Sequence, residues 1–567
     1  DRLRSRGLGD VYKRQMYKTM KATHYIYVLF AALFTLVCAG CEDRLNIEKH
    51  GSLGGPENYY QTDEEAEAAV ASMLISWRDM YSNWFYVKNC LSDDAYTGGG
   101  SRGDNAMMEQ LNEFTFFTDN GLISGLYSGL YAVVYKANLI IENVTGDSSV
   151  MRRAVAEAKF YRAWAYFELV TLWGNAPLVD HLLAPSEYHV SNSTPEALWA
   201  FVEQNLEEAI SSGALPSKAN VDDADATSRV TLETAKAYLG KAYLFQGKYS
   251  DAATVLDEVI DSKKYELYQG SFDMLGHAVT NNCSESMLEV QRRKNSEQAW
   301  NQFVQFYIML GWRTSHMSYG PKALFEEGIA MGTYGFFNPT KSLYDAFVER
   351  EGVDGYRLKS TMRTYEQMNE VEMAINPGLY LVGNEGYFFW KTRLLGSDNI
   401  IDQSWFQSLQ YTNLRVMRYA EVLLMAAEAH VMGGGSADKA VKYINEIRTR
   451  AKLAPLSSVT LDDVKKEKRL ELCLESVRFQ DLVRWGDAKA VLGEQGKFIP
   501  AYGYFPKIDP STGEVMKDAQ GNPIFEFKLE PENTKNSVYG FQDKHMLLPI
   551  PYTELNVNPN IKQNTGW

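Results

Sequence analysis

A mostly α-helical fold is what this sequence predicts, with a scaffold of paired helices interrupted by an irregular lobe of loops and short strands. Three observations carry that expectation. Between about residues 60 and 265, apolar residues recur at helical spacing; two stretches carry the small-residue and tyrosine pattern of tetratricopeptide helix pairs; and from about 265 to 410 the helical period gives way to turn residues, aromatics and short β-type runs.

The first long helix is "DEEAEAAVASMLISWRDMY", with Ala66, Ala69, Val70, Met73, Leu74 and Trp77 on one stripe. Acidic residues crowd its start, where the helix dipole favours them. "SGLYSGLYAVVYKANLIIENV" and "RRAVAEAKFYRAWAYFELVTLW" continue the pattern, the second stopped by Gly174 with Pro177 beyond it. In "VTLETAKAYLGKAYLFQGKYSDAATVLDEVI", Leu239, Gly240, Tyr243, Gly247, Tyr249 and Ala252 fall at tetratricopeptide spacing: the small residues let two helices approach and tyrosine fills the gap. The second pair is "MRYAEVLLMAAEAHVMGGGSADKAVKYINEIRTRA", with Ala426, Ala427 and Ala429 as its close face, and a third helix spans "LDDVKKEKRLELCLESVRFQDLVRWGDA". Within that last helix Glu471, Glu475, Arg478, Asp481 and Arg484 stand three or four residues apart, a spacing suited to ion pairs along one face. "ESMLEVQ", "GYFFWKTR" and "KHMLLPIP" read as short strands, and "GNPIFEFKLEPEN" as an extended excursion.

Composition narrows the function. A net charge of −15 argues against non-specific nucleic-acid binding, which needs Lys and Arg to neutralise phosphates. The 35 Tyr, 26 Phe and 11 Trp exceed what a core alone calls for and suit surfaces that stack flat ligands. Five cysteines are too sparse for a disulfide scaffold, and Cys90, Cys283 and Cys473 are expected to be ordinary buried thiols. No metal-ligand cluster, P-loop, Gly-x-Ser-x-Gly or EF-hand pattern occurs, so neither an enzyme nor a cofactor is expected. The acidic pair Asp93–Asp94 is read as a chance pairing rather than as a glycosidase dyad.

The front end follows the logic of export. Residues 1–15 are basic and aperiodic, and are read as an extension foreign to the protein. From Met16, Lys18 and Lys21 precede an apolar run from Tyr25 to Val37, shorter than the ~20 residues that cross a bilayer. Small residues then lead to Cys41. Residues 16–40 thus form a signal peptide resembling that of bacterial lipoproteins, with Cys41 as the lipidated first residue of the mature chain. Cys38 stands where leucine is usual. A redox or zinc role for the Cys-x-x-Cys pair lacks both a βαβ context and a second ligand pair.

Several segments, in order, resemble the SusD/RagB family of outer-membrane nutrient-binding lipoproteins of the Bacteroidetes. They are "EAKFYRAWAYFELVTLWGNAPLV", "NNCSESMLEVQ", "TKSLYDAFVEREGVDGYRLKST", "EKRLELCLESVRFQDLVRWGDA" and the ending "LLPIPYTELNVNPNIKQNTGW". The resemblance implies a SusD-like fold, no enzymatic activity, a glycan or in some members a peptide as ligand, and a TonB-dependent transporter of the SusC type as partner. It also implies a lipid-anchored address on the outer face of the outer membrane, marked by Glu42–Asp43, with the helical face toward the transporter and the aromatic lobe toward ligand. A helical-repeat lipoprotein that binds only proteins is the alternative.

The expected organisation is a tether over 41–60, a helical scaffold over 61–264, an aromatic-rich lobe over 265–410, further helix pairs over 411–490 and an extended segment over 491–567. Ligand contacts are expected from two regions. The glycine-rich loop "SDDAYTGGGSRG" offers Asp94, Tyr96 and Arg102; the segment from Trp300 to Phe337 offers Trp312, His316, Tyr319 and Tyr334. Aromatics there supply faces for pyranose rings, and the polar groups bond hydroxyls. For each aromatic, core packing is the competing reading.

Overall fold

Thr62 starts the fold: its hydroxyl accepts from the Glu65 amide while Glu65 reaches back to the Thr62 amide, a capping box that fixes where the first helix begins. This chain is seen in a computed structural model that describes residues 59–302, 305–401, 409–532 and 538–567; the leader, Cys38 and Cys41 lie outside the described residues. Helices α1 (Asp63–Cys90), α2 (Ala106–Glu113), α3 (Gly121–Asn143), α4 (Ser149–Trp173), α5 (Pro195–Ser211), α6 (Leu232–Phe245) and α7 (Tyr249–Asp261) follow in order. Later come α8 (Gln305–Met309), α9 (Lys341–Glu351), α10 (Tyr356–Thr361), α11 (Tyr365–Glu370), α12 (Tyr419–Met432), α13 (Ala437–Arg450), α14 (Leu461–Leu472) and α15 (Arg478–Arg484). Residues 60–567 cohere as one compact unit. Among the described residues no helix is long and apolar enough to cross a membrane.

The helix pairs pack as their small residues dictate. A Cβ on Gly240 of α6 would lie 2.6 Å from Leu256 of α7, so only glycine admits this approach. Helix α4 is buried nearly all round, with Trp164 and Trp173 fully enclosed. Each such side chain contributes about 1.5–3 kcal/mol of burial. The ending "LLPIP" is no strand. A 3₁₀ turn at Asp543–Met546 precedes it, and its backbone clamps the end of α4: Leu548 N donates to Leu172 O at 2.7 Å and Trp173 Nε1 to Pro549 O at 2.9 Å.

One predicted helix is two. The chain leaves α14 at Cys473, and Leu474 and Ser476 both take positive φ (+61° and +62°) before α15 begins. Asn89 at the end of α1 captures this corner, donating to Ser476 Oγ at 2.8 Å and accepting from its amide at 3.2 Å. The break turns Glu475 inward. The charges expected to pair along one helix face therefore reach distant partners instead, apart from Arg484 with Asp481. Arg357, fully buried, pairs with Glu351, Glu467 and Glu471 at 2.7, 2.6 and 3.1 Å. Arg418 and Arg450 both bind Glu285 and Glu471, and Glu475 binds Arg418 and Lys391. This cluster ties the irregular part of the chain to α14.

The strands are short. Among the described residues β1 (Ala95–Gly98) pairs with β4 (Phe336–Pro339), β2 (Ser286–Val290) with β9 (Leu414–Arg418), β3 (Met317–Tyr319) with β6 (Met373–Ile375), and β5 (Met362–Thr364) with β8 (Tyr387–Phe389). A three-stranded sheet runs β11 (Phe525–Glu532), β10 (Ile499–Pro506), β7 (Tyr380–Val382); every pair is antiparallel. The irregular part has an apolar cluster of its own, built on Trp312, Met317, Met368, Met373, Phe388 and Trp390. Cys90 and Cys473 are buried free thiols, whereas Cys283 is only half-buried.

Candidate functional site

The two regions singled out in the sequence meet. Strand β1, which leaves the first helix, pairs with β4: Ala95 faces Pro339, Tyr96 faces Asn338 and Gly98 faces Phe336. The glycine run permits the approach. Gly98 has φ +75°, and a Cβ there would lie 2.4 Å from Gly335 O; a Cβ on Gly100 would lie 2.7 Å from the Arg313 guanidinium. Gly99 N donates to Gly335 O at 3.0 Å. On the other side, Phe337 is held at φ +60° with its ring stacked on Tyr86 and edge-on to Phe85. A non-glycine residue in that region costs about 1–3 kcal/mol, sustained here by core packing.

Arg313 and Tyr334 form the exposed centre of this junction. Thr314 and Thr333 zip their segments together, with Thr314 N donating to Thr333 O at 3.1 Å and their hydroxyls 3.0 Å apart. Side chains alternate along the zipped segment: Trp312 turns inward and Arg313 outward. The guanidinium lies 5.7 Å from the centre of the Tyr334 ring and 3.0 Å from Asp104, which also accepts from Gly100 N at 2.7 Å. Tyr334 leaves 44% of its surface free while its amide is fixed to Ile308 O at 2.7 Å. A half-exposed ring beside a cation and a carboxylate can stack on a sugar face and bond its hydroxyls. Met331 and Trp300 on the same segment are also exposed.

The other expected residues are placed differently. Asp94 is buried and bound to Arg469 at 2.8 Å, so it belongs to the framework rather than to a surface. Its neighbour Asp93 is held by Arg469 and Arg478, each at 2.8 Å. Burial works against its ionisation, yet the two guanidiniums outweigh that and hold the carboxyl below its ordinary range. Trp312, at 3% exposure, lies in the core of the irregular part, parallel to Trp390 with ring centres 6.1 Å apart. Arg102 turns back to Glu113 at 2.5 Å and Glu109 at 3.4 Å, steadying the glycine loop from behind. Tyr96 bonds Glu385; burial, with that carboxylate second, pushes its phenol up. His316 is half-buried with Nδ1 3.0 Å from Tyr380 O, and burial lowers its pKa. The Tyr319 phenol is pushed up to about 12 by burial. Tyr334 alone of the seven presents an open face.

Sequence reasoning missed Arg313 and Asp104. The alternation in "GWRTSH", with its tryptophan turned to the core, was the available signal for Arg313; nothing local marks Asp104, whose partner lies 209 positions away. Among the described residues no three His, Cys, Asp or Glu side chains gather as metal ligands.

Comparison with known proteins matches this architecture. A family model described as the SusD family fits residues 296–567, and one described as starch-binding, associating with outer membrane, fits residues 56–244. SusD-like protein P2 of Formosa agariphila is 26% identical over 519 residues, 83% of this chain and 92% of that protein. Among solved structures, a laminarin-binding SusD-like protein superposes with a TM-score of 0.70 at 29% identity, covering 89% of this chain and 99% of that one. The surface glycan-binding protein A of Bacteroides thetaiotaomicron, solved with laminarihexaose, has the same fold at 22% identity, with a TM-score of 0.68 over 89% of this chain and all of that one. With SusD-type family models matching residues 56–244 and 296–567 and the fold shared over 89% of the chain, the protein belongs to the SusD family.

Proposed function

We propose that this protein captures oligo- or polysaccharide at the cell surface, anchored by lipid on Cys41, and passes it to a TonB-dependent transporter of the SusC type without itself cleaving it. The observation that carries the reading is the convergence of the glycine loop, Arg313 and an open Tyr334 ring on one surface of a SusD-family chain. The outer-membrane and starch-binding description of the model over 56–244, and the laminarin-binding relative, support it. A binding role also accords with Asp93 and Asp94 being engaged by arginines rather than free for acid–base work.

Laminarin is the first ligand to test, followed by a polysaccharide panel, by affinity electrophoresis and calorimetry. Tyr334→Ala and Arg313→Ala are each expected to weaken binding about 5- to 10-fold, since stacking and half-exposed hydrogen bonds contribute about 1 kcal/mol each. Unchanged affinity in both variants removes this surface from the ligand path; retention of a peptide with no glycan bound replaces the ligand class. Cys41→Ala is expected to release the protein from the membrane fraction.

A further inference from the structure

Strand β11 closes the β7–β10–β11 sheet as an edge, and its two faces differ. Phe525, Phe527 and Leu529 stand 39, 37 and 45% exposed. Their register partners Pro506, Tyr504 and Tyr502 place them on the face that also carries Leu381, part of the apolar cluster of the irregular part. That apolar face is buried at Leu381 of β7, half-buried at Tyr502 and Tyr504 of β10, and open at Pro506 and along β11. Phe527 is fixed, 5.0 Å from Tyr365 in a stack and 4.8 Å from Tyr504 edge-on, so the surface is preformed.

The alternate residues carry charge. Glu526, Lys528, Glu530 and Glu532 share the opposite face, with Lys528 bound to both Glu526 and Glu530. A guarded edge sets a charge on its apolar side to repel a pairing strand. Here the charge lies on the other side, with glutamates in excess. Pro531, on the apolar side and without an N–H, limits the edge open to pairing to 525–530, and no strand pairs with the outer side of β11 among the described residues.

We propose that the outer edge of β11 docks an extended segment of another polypeptide as an added strand, one whose residues alternate apolar and basic. Its apolar side chains continue the row of Phe525, Phe527 and Leu529; its Lys or Arg side chains lie beside Glu526 and Glu530; its backbone pairs with the free edge. The proposal is independent of the glycan reading, because it uses none of the residues around Tyr334.

The test uses the full chain and a capped nine-residue peptide of alternating valine and lysine, followed by fluorescence anisotropy and by amide exchange over 525–532. Saturable binding is expected, with slowed exchange confined to that strand. Binding should fall at least tenfold for the same peptide N-methylated at alternate amides and for a valine–glutamate peptide. Leu529→Glu, the more exposed position and the gentler change, should lose binding tenfold, as should Phe527→Glu, with circular dichroism confirming the fold. No saturable binding, equal binding by the N-methylated peptide, or equal binding by folded Leu529→Glu overturns the proposal. So does a dimer of this chain that Leu529→Glu disrupts, or a glycan that protects 525–532.

Discussion

The helical scaffold and the irregular lobe are held together in different ways. Around α4 the core is one continuous mass of aromatic and aliphatic side chains, organised by local periodicity. The lobe instead collects residues from Trp312 to Leu395, and again from Tyr502 and Tyr504, into a satellite core. Arginine–glutamate pairs tie its chain segments to the rest: Arg357 binds Glu467 and Glu471 of α14, and Glu285 binds Arg450 of α13 and Arg418 of β9. The scaffold has buried ion pairs too, Lys88 with Glu168 and Lys241 with Glu421, but they sit inside one continuous apolar core. The lobe instead meets the helices through a contiguous cluster of charges that are costly to separate. On the proposed reading, a surface that presents Tyr334 and Arg313 in fixed register gains from the second arrangement, because shifting one partner of a buried ion pair leaves the other charge uncompensated.

The largest test of that contrast is Arg357→Met. It leaves Glu351, Glu467 and Glu471 facing one another without their shared cation, all fully buried. A loss of about 3–5 kcal/mol is expected in urea unfolding; a loss below about 1 kcal/mol would show that the cluster is decorative. Trp312→Ala, in the satellite core, is expected to cost about 3–5 kcal/mol locally. Amide exchange should accelerate across the lobe strands while α4 stays protected, and equal acceleration in both would make the two cores one cooperative unit.

A smaller effect sharpens the electrostatic side. Burial alone would raise the Glu475 pKa, but Arg418 and Lys391 bring it down to about 2 from 4.5. A depressed carboxyl stabilises the fold fully above its unfolded pKa and loses that contribution as pH falls through the folded value. Glu475 should thus contribute about 3 kcal/mol that disappears between pH 4.5 and 2. Glu475→Gln is expected to flatten stability against pH in that window, and an unchanged profile would place the acid sensitivity elsewhere. Smallest is the effect of Arg313→Ala on stability, within about 0.5 kcal/mol, because its ion pair with Asp104 is partly exposed. Its effect should be confined to ligand.

Much of the scaffold was legible in the sequence because helix periodicity and capping are local. Thr62 with Glu65, Gly174 after Trp173, and Gly240 opposite Leu256 each leave a mark within a few residues or one helix pair. The α14–α15 break was not legible. "ELCLESVRF" carries no glycine or proline, and the positive φ angles at Leu474 and Ser476 are held by Asn89, nearly four hundred residues away. The structure brings the glycine loop and the Trp300–Phe337 segment together, a convergence that no local pattern announces, and it packs most of the residues singled out there against the framework. Trp312 and Tyr334 are both aromatic residues in a turn-rich stretch, and only the zip between Thr314 and Thr333 decides which ring turns inward.

By itself the sequence determined the helical scaffold, its paired-helix spacing, and the family to which the motifs point, all properties written in short-range patterns of apolar and small residues. Only the tertiary structure decided which carboxylates are framework, that Arg313 and Asp104 join Tyr334, and that β11 leaves an apolar face open. The physical reason is separation along the chain: a side chain's role in an irregular lobe is set by distant backbone that packs against it, and no local pattern encodes that neighbour.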